Sequence, residues 1–217
     1  MRTSPKTINL FEWKTQKDPV GYLEALKWME MRVKSLQNNE ASECVWLLEH
    51  PPLYTLGTSG LEKDIFSSSK FPVFKTGRGG QVTYHGPGQR VAYVILDLKP
   101  RYQDIRRYVF ELEEWMIQTL ATFGVRGERR AGRVGIWVQK KGQDYKIGAL
   151  GVRLQKWVTS HGLSLNVHPD LSAYQDITPC GLSQYGITSL ADLGQNVTLQ
   201  DVDEALRKTC PFDPCAS

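Results

Sequence analysis

The chain has 217 residues, and because this length supports one sizeable core and no linker-like shift in composition divides it, we expect one domain over residues 1–217. Its net charge of +4 comes without a dense Lys/Arg tract, which argues against a nucleic-acid partner and leaves an acidic protein partner open. No segment has the pattern of a signal peptide, a mitochondrial presequence or a membrane span, so the sequence predicts a cytoplasmic protein without a membrane partner.

The cysteines are scattered along the chain at Cys44, Cys180, Cys210 and Cys215. This spacing does not resemble a disulfide framework and predicts reduced thiols. Cys210 and Cys215 have no further Cys or His nearby, so we expect no metal site there and a frayed C-terminal end.

The first half of the chain alternates between strand and helix patterns. A strand-like run at residues 7–13 precedes helical periodicity over 20–35, and an apolar run at 44–48 predicts a buried strand. Pro51 and Pro52 interrupt this run before a second short strand at 53–56. The next loop contains glycines and three successive serines, a composition that predicts mobility.

Residues 76–98 are rich in glycine and predict a hairpin, with strands at 81–84 and 90–98. Its glycines would let backbone amides approach a ligand, while Arg78 and His85 would supply polar contacts. Neither common phosphate-loop pattern occurs, so a nucleotide site is disfavoured.

The remaining predicted elements are a core-facing helix at 105–123, a strand at 134–139 followed by a turn at 140–144, a short helical turn at 189–193 and a terminal helix at 199–208 with its cap near Thr198.

Residues 145–180 form the most informative stretch. Two alternating runs, 147–154 and 157–167, predict a hairpin with its turn near Gln155 and Lys156. Glycine weakens a strand unless something approaches the backbone closely, so Gly148 and Gly151 predict room for a ligand.

Lys146 and Cys180 stand at opposite ends of this stretch. Pro179 and Gly181 flank the thiol, which favours a turn that presents Cys180 at an open rim. Taken alone, these residues leave open the alternatives of a solvated surface lysine and an inert buried cysteine.

Four segments together resemble the lipoyl(octanoyl) transferase family. They are RGGQVTYHGPGQ at 78–89, KIGALGVR at 146–153, HGLSLNV at 161–167 and ITPCG at 177–181, and their order and spacing also fit. The resemblance implies an α+β fold like the catalytic domain of biotin and lipoate protein ligases, with a mixed β-sheet flanked by helices.

The resemblance also implies an activity, that of an octanoyl-[acyl-carrier-protein]:protein N-octanoyltransferase, the first step of endogenous protein lipoylation. The donor would be octanoyl-acyl carrier protein. The acceptors would be the lipoyl domains of 2-oxoacid dehydrogenase E2 subunits and the glycine cleavage H protein. We expect no cofactor or metal, because a thioester donor is already activated. We also expect a monomer.

By the same resemblance, Cys180 is the nucleophile that carries the acyl group and Lys146 is the general acid/base. A free thiol with a pKa of about 8.5 is mostly protonated at neutral pH, so a neighbouring ammonium would favour the reactive thiolate. The residues implied to line the acyl and thioester pocket are Arg78, Gly79, Gly80, Gln81, Val82, Thr83, Tyr84, His85, Ala149, Leu150, Gly151, Gly162, Leu163 and Ser164.

Three other functions remain as alternatives. An ATP-dependent lipoate or biotin protein ligase would share the fold, although the Cys180 motif argues against it and no adenylate-binding signature stands out. The others are a non-catalytic binder of acyl carrier protein or lipoyl domains, and a cysteine hydrolase. ATP dependence, a covalent octanoyl adduct and acyl release to water distinguish them.

Overall fold

The structure is a computed structural model that describes residues 11–66, 70–177 and 185–214. Its strands are β1 (Glu12–Thr15), β2 (Cys44–Leu48), β3 (Leu53–Leu56), β4 (Val73–Lys75), β5 (Val82–His85), β6 (Gln89–Ile95), β7 (Glu128–Arg130), β8 (Arg133–Lys140), β9 (Gln143–Gln155), β10 (Val158–Asn166) and β11 (Gly186–Ile187). The α-helices are α1 (Tyr22–Gln37), α2 (Ile105–Ala121) and α3 (Leu199–Thr209).

An eight-stranded mixed sheet forms the centre of the described fold. Its order is β1-β2-β6-β10-β9-β8-β7, with β11 added beside β9. The β1–β2 and β11–β9 pairs are parallel and the other pairs antiparallel. A separate three-stranded sheet has the order β4-β3-β5. The predicted fold class, a mixed sheet flanked by helices, is confirmed.

Helices cover the two faces of the large sheet. Alternate side chains of a strand point to opposite faces. On β2, Trp46 packs with α1 residues such as Met29, whereas Val45 belongs to the core beneath α2, which includes Leu112 and Met116. The two helices therefore enclose the sheet that supports Lys146.

Local sequence signals explain where the helices and hairpins begin and end. Asp104 accepts hydrogen bonds from the first amides of α2. At α3, the predicted cap at Thr198 is confirmed, and Asp201 completes a capping box with it. The predicted β9–β10 hairpin is confirmed. Its turn lies at Lys156 and Trp157, which adopt φ values of 51° and 70°.

The predicted hairpin between 81–84 and 90–98 is wrong. Strand β5 pairs with β3 in the small sheet, while β6 lies between β2 and β10 in the large one. Gly88 explains the separation, because its carbonyl accepts from the amides of Val167 and His168 and its N–H donates to the Glu49 carboxylate at 2.6 Å. The turn is thus bonded to the two residues that follow β10 rather than closing a hairpin.

Both chain ends differ from the prediction. Strand β1 begins at Glu12, and the start of the expected strand at 7–13 lies outside the described residues. The expectation of a frayed C-terminus is wrong for Cys210 and Phe212, which are 4% and 2% exposed. The Phe212 ring packs 5.7 Å from that of Tyr108, centroid to centroid, so this segment belongs to the core.

Two further predictions fall partly or wholly outside the described residues. The serines at 67–69 and Cys215 lie there, so the mobility of the serine loop stays a prediction.

Among the described residues, no helix combines the length and the apolar character needed to cross a membrane.

Candidate active site

Lys146 lies inside the protein on β9, directly opposite Trp137 of β8. Only 5% of the residue is exposed, and its ammonium lies 5.8 Å from the centre of the Trp137 ring. The alternative of a solvated surface lysine is therefore wrong. Its side chain faces a small cavity lined by Thr83, Lys146, Gly148, Ala149, Ser164, Asn166, Tyr174 and Ile187.

The described chain approaches the Lys146 cavity from both sides of the ITPCG motif. Tyr174 precedes the motif and Ile187 follows it, and both line the cavity. Ile187 also pairs in register with Lys146, and the next amide, that of Thr188, donates to the Lys146 carbonyl at 2.9 Å. Cys180 lies outside the described residues, so its predicted exposure and role stay predictions.

A larger cavity adjoins that of Lys146, and the two share Thr83, Ala149 and Ser164 in their walls. The empty space among its lining residues is about 500 Å³, a figure that includes open solvent. Its lining residues are Tyr22, Arg78, Gly80, Gln81, Val82, Thr83, His85, Val91, Tyr93, Ala149, Leu150, Gly151, His161, Gly162, Leu163 and Ser164.

The structure brings nearly all of the predicted pocket residues to this one cavity. The exceptions are Gly79, whose amide donates to the Val152 carbonyl, and Tyr84, whose ring packs against that of Tyr174. That the lining residues bind substrate stays a prediction.

Sequence reasoning missed Tyr22, Val91, Tyr93 and His161. His161 stands within the HGLSLNV segment, which is its one detectable signal. Tyr22 belongs to the buried stripe of α1, and Val91 and Tyr93 to the buried strand β6. Only tertiary packing reveals that these three residues reach the cavity.

Arg78 lines the cavity and holds the surrounding main chain by hydrogen bonds. The guanidinium donates to the Thr55 carbonyl at 2.8 Å, the Gln81 carbonyl at 2.9 Å and the Gly79 carbonyl at 2.9 Å. Arg78 is only 7% exposed. These bonds show Arg78 fixing the glycine-rich loop, and that Arg78 also contacts a ligand stays a prediction.

His85 is held by two hydrogen bonds inside the protein. Its Nδ1 lies 2.6 Å from Gln89 Oε1, a side-chain amide oxygen that only accepts, so Nδ1 carries the proton. Nε2 then accepts from the Thr55 hydroxyl at 3.3 Å. Burial lowers the pKa of His85 well below its usual value. A neutral, bonded imidazole at this position shapes the cavity rather than offering a charge to a ligand.

Two more neutral histidines lie in or beside the cavity wall. His50 donates from Nδ1 to the Val20 carbonyl at 2.6 Å and accepts at Nε2 from the Tyr93 hydroxyl at 2.7 Å. Burial lowers the pKa of His50 to about 4. Burial, and then the nearby charges of Arg78 and Arg153, lower the pKa of His161 to about 3. These histidines therefore add no charge to the cavity wall.

The space beside the two strand glycines is filled by protein. A Cβ on Gly148 would lie 2.9 Å from Met116 Cε, and one on Gly151 would lie 2.9 Å from the Gly79 carbonyl oxygen. The prediction that these glycines leave room for a ligand is wrong for the space where a side chain would stand, because protein atoms occupy it. Gly148 admits a side chain of α2 and Gly151 admits the glycine-rich loop, while their backbones line the cavities.

Within 11–66, 70–177 and 185–214, no three His, Cys, Asp or Glu side chains are grouped to hold a metal ion. Lys146 is thus a buried lysine at one end of a largely apolar cleft.

The sequence matches a known family. Residues 21–210 match the lipoyl protein ligase A/B catalytic domain, and the chain belongs to that family. Within it, an octanoyltransferase of Rhodospirillum rubrum is 56% identical over 207 residues, which cover 94% of this chain and 96% of the relative. An octanoyltransferase of Parvibaculum lavamentivorans is 58% identical and covers 94% of this chain and 92% of the relative. The predicted membership of the octanoyltransferase group of enzymes is confirmed.

Solved structures agree on the fold. A putative lipoate protein ligase from T. acidophilum superposes with a TM-score of 0.67 at 15% identity and covers 91% of this chain and 83% of its own. A lipoate-protein ligase A bound with ATP gives 0.66 at 15% identity, with 93% and 82% covered. At such low identity these likenesses establish the fold alone.

Proposed function

We propose that this protein transfers an octanoyl group from acyl carrier protein to the lysine of a lipoyl domain, by way of a thioester on Cys180. The observation that carries the proposal is the buried Lys146 in a cavity adjoining a larger, mostly apolar one. Octanoyltransferase relatives at 56% and 58% identity over nearly the whole chain support the same activity.

The larger cavity suits the acyl chain. Apolar side chains such as Val82, Val91, Leu150 and Leu163 contribute to its wall. Burial of each methylene contributes about 0.8 kcal/mol, so a medium-length chain gains several kcal/mol by entering. The neutral histidines add no charge that would have to be desolvated.

The first half-reaction is a thioester exchange. The Cys180 thiolate attacks the donor carbonyl, a new C–S bond forms, and the bond to the phosphopantetheine sulfur breaks. Because one thioester replaces another, no nucleotide is needed to activate the acyl group. Lys146 in its ammonium form stabilises the thiolate and gives a proton to the departing sulfur.

The second half-reaction is an aminolysis. The acceptor lysine attacks the Cys180 thioester, an amide bond forms, and the Cys180 thiolate leaves. The amine must lose a proton, and the now neutral Lys146 takes it, which restores the starting state. The positions of Tyr174 and Ile187 support this pairing, since the segment carrying Cys180 leaves and rejoins the described chain beside the Lys146 cavity.

The partners follow from the proposed reaction. The donor is octanoyl-acyl carrier protein, and the acceptors are lipoyl domains of 2-oxoacid dehydrogenase E2 subunits and the glycine cleavage H protein. We further propose that the protein acts as a cytoplasmic monomer without cofactor.

The deciding experiment is a search for the acyl-enzyme. Incubation with octanoyl-acyl carrier protein should add one octanoyl mass to the peptide containing Cys180. The adduct should be absent in Cys180→Ser and present in Cys44→Ala, Cys210→Ala and Cys215→Ala. Subsequent addition of a lipoyl domain should move the mass to the domain without ATP. An adduct on another cysteine, or transfer only with ATP, would reject the proposed route.

A further inference from the structure

Strands β8 and β9 change register beside Lys146. Ile136 lies opposite Gly148, but the next residue, Trp137, lies opposite Lys146. Ile147 is therefore an extra residue on β9, which is the arrangement of a β-bulge. Bulges redirect side chains and are common beside active sites. Here the bulge sets the direction in which Lys146 leaves the sheet.

Gly135 occupies the position on β8 just before this bulge. Its φ of 114° is one that residues with a side chain rarely adopt. A Cβ built on it would overlap Lys146 Cε, and would lie 3.0 Å from Lys146 Nζ and 2.7 Å from the Gly148 carbonyl oxygen. The space that a side chain at residue 135 would need is thus the space that the end of Lys146 fills.

The backbone of Gly135 is also anchored from the other side. Its N–H donates to Glu113 Oε1 of α2 at 3.3 Å. Glu113 is in turn paired with Arg129 at 3.0 Å. Because α2 packs on the sheet, this bond fixes Gly135 relative to the strand that carries Lys146.

We propose that Gly135 is a positioning residue for Lys146, and that its missing side chain and its backbone conformation create the site in which the lysine ammonium is held. Gly135 acts through Lys146 and contacts no reacting atom. Its effect on catalysis rests on the proposed function, whereas its effect on the position of Lys146 does not.

The chain supplies matched controls in the same sheet. Gly132, just before β8, has a φ of 73°, and Gly142, in the β8–β9 turn, has a φ of 79°. A Cβ on either would meet nothing within 4 Å. Gly132→Ala and Gly142→Ala therefore introduce a side chain at positive φ without a steric contact.

A double-mutant cycle in stability isolates the contact with Lys146. Gly135→Ala should lower the urea midpoint more than either control substitution. The same substitution should cost less in a Lys146→Ala background, because the overlapping atoms are then absent, while the strain at residue 135 is unchanged and cancels in the cycle. If Gly135→Ala alone does not fold, folding of the double variant supports the proposal. Equal losses in both backgrounds, or neither variant folding, would overturn it.

Rates of the two half-reactions then test the catalytic consequence. In folded Gly135→Ala, displacement of Lys146 should slow acyl-enzyme formation and aminolysis by about 10²-fold or more, the lower part of the range for general acid/base catalysis. The half-saturating concentration of octanoyl-acyl carrier protein should change little, and Gly132→Ala and Gly142→Ala should react at wild-type rates. Wild-type rates in Gly135→Ala would overturn the positioning role. If instead Lys146→Ala itself is fully active, the proposed function of Lys146 fails, and the stability cycle alone decides the inference.

Discussion

The side-chain amide of Gln89 donates a hydrogen bond to Asn166, with 3.0 Å between Nε2 and Oδ1. Both residues are buried. The Nδ2 of Asn166 donates in turn to the Thr188 carbonyl at 3.0 Å. The Thr188 amide donates to the carbonyl of Lys146. A continuous set of hydrogen bonds therefore joins the start of β6 to the main chain of the proposed catalytic lysine.

Asn166→Asp should break this set while preserving its shape. The substitution replaces the Nδ2 donor by an oxygen that faces the Thr188 carbonyl, so two acceptors meet. We expect a loss of about 1–3 kcal/mol in the free energy of unfolding at neutral pH, measured by urea denaturation. Because burial disfavours the new carboxylate and raises its pKa above the unfolded value, the loss should shrink as the pH falls.

Asn196→Asp is the matched control, since Asn196 is exposed. It should leave the free energy of unfolding nearly unchanged. Similar losses in the two variants would show that the Asn166 hydrogen bonds contribute little.

The cysteines should differ sharply in reactivity. Burial raises the pKa of Cys44 to about 12 and that of Cys210 to about 11, so neither forms an appreciable thiolate at pH 8. In a Cys215→Ala background, iodoacetamide should label Cys180 first and abolish acyl transfer at one label per chain. Peptide mass spectrometry should find Cys44 and Cys210 unlabelled until urea is added. Early labelling of Cys44 with full loss of activity would contradict the assignment of Cys180.

Elements bounded by strong local signals could be predicted from the sequence. Strands 44–48 and 53–56 are correct to the residue because Pro51 and Pro52 separate two apolar runs. Helix α3 begins after Thr198 because its capping box is encoded by neighbouring residues. In these cases the interactions that set the boundary lie within a few positions of it.

Contacts distant in sequence could not be predicted. The separation of β5 from β6 depends on hydrogen bonds between Gly88 and residues 167 and 168. The need for a small residue at position 148 comes from Met116, which belongs to helix α2. Likewise, Tyr22 and Tyr93 carry ordinary core patterns and reach the cavity only through packing. The glycine-rich segments, in contrast, resembled a family and led to most of the cavity wall.

Acidification should destabilise the protein between about pH 6.5 and 4. Burial lowers the folded-state pKa of His50 to about 4 and of His161 to about 3, and it also lowers that of His85. The unfolded histidines have a pKa near 6.5, so the stability that neutral histidines contribute is complete above that pH and lost as it falls through the folded values.

Asp203 acts in the opposite direction. Burial raises its pKa to about 6, so its contribution is present at low pH and is lost as the pH rises through about 6. Since several histidines oppose this one carboxyl, we expect a net decrease in the urea midpoint from pH 7.5 to 4.5. His50→Gln should make the decrease shallower, whereas His168→Gln, at an exposed position, should not. A urea midpoint independent of pH would contradict the conclusion that the buried histidines are neutral in the folded protein.

Substitution of Lys146 should separate its two proposed roles. Lys146→Ala should slow acyl-enzyme formation and aminolysis by about 10²–10⁴-fold each, because both need its proton. Lys146→Arg keeps a positive charge and could restore part of the first half-reaction through the thiolate. It cannot restore the second, since arginine does not release a proton at working pH.

Lys140 provides the control, because it lies on the adjacent strand β8 and its ammonium lies 2.6 Å from the Asp192 carboxylate. Lys140→Ala and Lys140→Arg should therefore leave both rates unchanged. Single-turnover measurements of each half-reaction decide the matter, and wild-type aminolysis in Lys146→Arg would leave Lys146 with a purely electrostatic or structural role.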